Sequence, residues 1–125
     1  MNEMELLCQR YGAHPDCTAF LGKAYEKLQA NEEAFSVFLQ QVQVYKDDYL
    51  FDHKLVMAAL RDLEATTGLA WETIHMLYTI YLLPSLEALY EKENIEKERF
   101  TDFVGNLRGS MGPGKETYGL RIAWW

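Results

Sequence analysis

Apolar residues recur along most of this chain at steps of three and four, the spacing that puts them on one face of a helix. The stretch 3–11, EMELLCQRY, reads as a short first helix, and Gly12 with the His14-Pro15 pair breaks it. A second helix is expected to about Ala30, capped by Asp16, with Phe20, Leu21, Ala24, Tyr25 and Leu28 on its inner face. Asn31 then caps a third, whose first-turn Glu32 and Glu33 suit the positive end of the helix dipole. Its inward set is Phe35, Phe38, Leu39, Val42 and Tyr45. Asp52 caps a fourth, HKLVMAALRDLEATT, with Leu55, Val56, Ala59, Leu60 and Leu63 inward and Gly68 placed as its C-terminal cap.

A fifth helix begins near Ala70 and runs WETIHMLYTIYLLPSLEALYEKE. Pro84 lies inside that pattern; its nitrogen has no proton to donate and its ring crowds the turn before, so the helix should kink there or divide. Asn94 can take the left-handed conformation that ends a helix. A last helix is expected from about Glu96, with Phe100, Phe103, Val104 and Leu107 at helical spacing.

After Leu107 the pattern changes. RGSMGPGKE holds three of the eight glycines and one of the three prolines, the composition of a hinge. Strand signals are absent before residue 118, and no internal repeat is visible. The expected fold is all-α, an irregular bundle of about six helices over residues 1–107. Residues 108–125 form a Gly/Pro-rich loop and the start of a following element. In that last segment Leu120, Ile122 and Trp124 alternate with Arg121, Ala123 and Trp125, which suits a strand as well as a helix. Two tryptophans at a chain end, where residues are ordinarily solvated, suggest an element interrupted part-way.

Composition narrows the classes of function. The chain has 125 residues, 49% of them hydrophobic, which suits one domain with a sizeable core. Its net charge is −7, and the acidic excess lies in residues 1–107. An acidic body without a basic stripe argues against nucleic acid or an anionic membrane surface as partner. The longest mostly apolar stretch, Ile74 to Leu83, contains His75 and is too short to span a bilayer. The N-terminus lacks a basic segment followed by an apolar run, so a cytoplasmic location with Cys8 and Cys17 as reduced thiols is expected. Neither cysteine has partners at zinc-ligand spacing, so no metal is expected.

Three patterns touch on chemistry. Gly109 to Lys115, GSMGPGK, fits the first seven positions of a phosphate-binding P-loop, but Glu116 stands where a Ser or Thr must bind magnesium. The loop also follows a helix rather than a strand, and Pro113 removes a backbone donor, so a hinge is the better reading. His75, with Glu72 three residues before it and Thr79 four after, has the neighbours to orient an imidazole for acid–base work. A satisfied, half-buried histidine is the commoner use of such a position. His14 and His53 lack acidic or cysteine neighbours at ligand spacing, and EKENIEKE reads as solvated surface. No residue is assigned a catalytic or cofactor-binding role. Aromatic residues make up 14% of the chain, and Trp71, Tyr78 and Tyr81, with Trp124 and Trp125, are the candidates for an apolar docking face. Core packing is the commoner role for such residues.

LLPSLEALYEKENIEKERFTDFVGNLR, followed by TYGLRIAWW, resembles the N-terminal half of bacterial two-domain GNAT-like acyltransferases. The features that carry the resemblance are Pro84, Tyr90, Ile95, Phe100, Thr101, Asp102, Tyr118, Gly119, Trp124 and Trp125. Asn94 replaces the family's glycine before Ile95, a change the left-handed conformation tolerates. The resemblance implies a helical domain that shapes the acceptor site of, or braces, a C-terminal domain binding acyl-CoA. That second domain requires a loop of the form [QR]xxGx[GA]; Arg108 is followed at the third position by Met111, so RGSMGPG is not that loop. The chain is expected to be catalytically inert on its own. The alternative is a non-enzymatic helical module that binds a protein partner or self-associates through its aromatics. A bundle that holds a small apolar ligand is a third reading, resting on aromatic content alone.

Overall fold

The computed structural model describes residues 3–12, 17–47, 53–90 and 105. Among the described residues run five helices: α1 (Glu3–Tyr11), α2 (Cys17–Gln29), α3 (Glu32–Asp47), α4 (His53–Thr67) and α5 (Trp71–Tyr90). Among the described residues the architecture is all-helical. The expected helix from Glu96, the hinge and the terminal segment lie outside the described residues, as do the caps proposed at Asp16 and Asp52.

Local chemistry sets the visible boundaries. The Asn31 side-chain oxygen accepts from the Ala34 N–H at 3.0 Å, satisfying one of the donors left over at the start of α3. At the far end of α4, Gly68 takes φ +75°, a conformation that costs a side-chain-bearing residue, and its N–H donates to the Glu64 carbonyl at 2.9 Å. Thr67 reinforces the same corner: its hydroxyl donates to the Leu63 carbonyl and accepts from the Leu69 N–H.

The bundle is organised around α5. That helix touches all four others, while α1 packs on α2, α2 on α3 and α3 on α4. Ten successive residues, Ile74 through Leu83, are buried. Ten residues at 100° steps pass every side of the helix, so α5 is apolar all round and is a core helix rather than an amphipathic surface one. Pro84 does not divide it: the helix runs on to Tyr90, and Pro84 itself is exposed at the edge of the buried segment.

The inward faces of α2, α3 and α4 are narrower than the periodicity predicts. Leu21, Ala24, Tyr25 and Leu28 of α2 are buried, as are Phe38 and Val42 of α3 and Val56, Leu60 and Leu63 of α4. Phe20, Leu39 and Leu55, expected inward, are instead 52%, 40% and 70% exposed. Each sits one position from a fully or almost fully buried residue, so a shift of about 100° around the helix decides its side.

Candidate functional site

Four of the sequence-derived aromatic and histidine candidates fall on α5. Tyr78 and Tyr81 converge on Phe38 from α3, with ring centroids 6.4 and 5.5 Å apart in edge-on geometry. Tyr81 also stacks on Tyr25 of α2 at 6.0 Å, and Tyr25 meets Phe35 edge-on at 5.5 Å. The cluster therefore locks α2, α3 and α5 together through the favoured offset and T-shaped contacts of aromatic rings. Trp71 lies apart from it, at the start of α5, where the Arg61 guanidinium of α4 sits 3.7 Å from its ring centre. All three are buried within this chain, so the described bundle already covers them. Trp124 and Trp125 lie outside the described residues.

His75 is fully buried, not half-buried. Its Nδ1 lies 3.2 Å from the Thr79 hydroxyl, which donates to the His75 carbonyl at 2.8 Å, and its ring meets Trp71 edge-on at 5.4 Å. This is the satisfied core histidine of the commoner reading: the imidazole is oriented by neighbours on its own helix and is shielded from solvent. His14 lies outside the described residues.

Two polar ties hold α1 along α5, and neither is legible from sequence spacing. At one end the Tyr81 hydroxyl donates to Glu3 Oε2 at 2.9 Å while sharing a 2.8 Å hydrogen bond with the Tyr25 hydroxyl. At the other, the Tyr11 hydroxyl donates to Glu87 Oε2 at 3.0 Å, and Arg10 pairs with the same carboxylate. Glu3 pairs near Tyr81 and Tyr11 near Glu87, so α1 runs in the same direction as α5. Burial first, and then these hydrogen bonds, push the Tyr11 and Tyr81 phenols above their ordinary value. Both phenols stay protonated at neutral pH and act as donors to carboxylates.

The remaining reactive groups are the two cysteines. Cys8 of α1 and Cys17 of α2 are buried and reduced, with their sulfurs 3.7 Å apart. Among the described residues, no group of three or more His, Cys, Asp or Glu converges as a metal site. No described helix is long and apolar enough to cross a membrane.

Comparison with family models, with curated proteins and with solved structures returns no match.

Proposed function

We propose that this chain is the helical N-terminal domain of a GNAT-like acyltransferase, bracing an acyl-CoA-binding C-terminal domain or shaping its acceptor site. The observation that carries the reading is the ordered set Pro84, Tyr90, Ile95, Phe100, Thr101, Asp102, Tyr118 and Gly119, which resembles that family's pattern in residue type and sequence. The all-helical character of the described residues agrees with what the family places before its acyl-CoA domain. So does the interior: Ile74–Leu83 is given over to packing, with His75 held against Thr79 and Tyr81 against Tyr25. Such a bundle contributes shape and surface, while acyl-CoA would be held by the partner domain. Mass measurement on the native gene product tests the reading. It predicts a product longer than 125 residues with a mixed α/β segment carrying a [QR]xxGx[GA] loop; a native product ending at Trp125 would remove its support.

A second reading, a non-enzymatic module that self-associates or binds a protein partner, is favoured by the exposed apolar side chains. Leu6, Phe20, Leu39 and Leu55 are each between 40% and 70% exposed. Sedimentation velocity over a concentration series separates the two. A concentration-dependent dimer that Phe20→Ser or Leu55→Ser dissolves supports the module; a monomer throughout counts against it.

A further inference from the structure

We propose that Cys8 and Cys17 are a built thiol pair that closes to an intramolecular disulfide, clamping α1 onto α2. The pair is nine positions apart in sequence and joins two helices. Its sulfurs are already 3.7 Å apart, with the Cys17 thiol donating toward Cys8. A disulfide bond is about 2.0 Å long, so roughly 1.7 Å of approach is needed, within the reach of side-chain rotation and a small shift of α1.

Gly12 makes the approach possible. Its N–H donates to the Cys8 carbonyl at 2.8 Å. A Cβ at this position would sit 2.5 Å from that carbonyl oxygen and 3.2 Å from both Cβ and Sγ of Cys17. The corner between α1 and α2 therefore brings the thiols together only because residue 12 has no side chain.

The oxidant class is a low-molecular-weight disulfide, R–S–S–R. Burial raises the Cys17 thiol above its ordinary value in the closed fold, so its thiolate forms when local opening brings it to solvent. After losing its proton to solvent, that thiolate attacks one sulfur of R–S–S–R. The S–S bond breaks, a thiolate RS⁻ leaves and takes up a proton, and a mixed disulfide remains on Cys17. Cys8 then gives up its proton and attacks the Cys17 sulfur, and the second RSH departs. Two protein thiols are oxidised to one disulfide while one R–S–S–R is reduced to two RSH. Both thiols are buried, so the first step waits on local opening of α1, a nine-residue helix at the edge of the bundle. Once closed, the bond holds in place the helix that carries Glu3, Arg10 and Tyr11 against α5.

The test is to incubate the 125-residue chain with oxidised glutathione, quench with acid and digest with trypsin without reduction. Cleavage after Arg10 and Lys23 puts the two cysteines on separate peptides, 1–10 and 11–23. The expected result is a monomer lighter by two hydrogens, a single cross-linked pair of those peptides, and a melting temperature raised by at least about 5 °C that dithiothreitol reverses. Cys8→Ser should instead stop at the glutathione adduct on Cys17, with no such rise. Glutathione adducts on both cysteines without a cross-link, a cross-link between two chains, or thiols left unmodified at equilibrium would each overturn the proposal.

Discussion

Phe38→Ala probes the packing at the meeting point of α3 and α5. Phe38 is fully buried and makes edge-on contacts with both Tyr78 and Tyr81. Truncating a buried Phe to Ala loses the transfer energy of the ring and leaves a cavity, together about 3–5 kcal/mol. The two aromatic contacts, each about 0.5–1.5 kcal/mol, place this site toward the upper part of that range. Domain stabilities run at about 5–15 kcal/mol, so the loss is a large share of the total. With a urea dependence of about 2 kcal/mol per molar, the unfolding midpoint should fall by roughly 2 M. Leu39→Ala, one residue along the same helix at a 40%-exposed position, is the control and should cost under about 1 kcal/mol. Helical circular dichroism against urea reads both. Equal losses for the two variants would refute the reasoning, because they would mean that α3 does not present Phe38 and turn Leu39 away.

Three further outcomes follow from the same contacts. Asn31→Ala removes the acceptor for the Ala34 N–H and should lower stability by about 1 kcal/mol in the same urea titration, with Asn31→Asp preserving it. Tyr81→Phe deletes a hydroxyl bridging Tyr25 and Glu3; Glu3 is exposed, so the loss should be about 1 kcal/mol, and it should shrink markedly in a Glu3→Ala background. Raising the pH should destabilise the bundle, since burial lifts the Cys8 thiol from 9.0 to about 12 in the folded chain and also raises the Tyr11 and Tyr81 phenols. A group whose folded pKa is raised stabilises the fold fully below its unfolded value and loses that contribution as the pH climbs to the folded one. Melting temperatures should therefore be flat up to about pH 8 and fall from about pH 9 upward, and Cys8→Ser should flatten the first part of that fall.

What the sequence makes legible is what local chemistry decides. Asn31 and Gly68 are readable as caps because each acts on backbone groups within one turn of itself. The helical period likewise locates all five described helices. The side a residue takes is less readable: Phe20, Leu39 and Leu55 continue an apolar stripe but lie just past the edge of the surface that the neighbouring helices cover. Pro84 shows the opposite limit. The local rule predicts a kink or a division, and the helix is not divided: it runs on to Tyr90 with Pro84 on the exposed side. The Glu3–Tyr81, Tyr11–Glu87 and Cys8–Cys17 partnerships depend on how α1 lies against its neighbours, and no periodicity encodes that. Trp71, Tyr78 and Tyr81 illustrate why a docking face is hard to name from sequence. An all-round apolar helix and a helix with an exposed aromatic face share the same residue types, and only the packing of α1–α4 around α5 tells them apart.

The acyltransferase reading is tested most directly by titrating acetyl-CoA calorimetrically into the intact gene product and, separately, into the 125-residue chain. The account predicts saturable binding to the intact product and none to the chain alone. An intact product that takes up no acyl-CoA, or a 125-residue chain that binds it unaided, would contradict it.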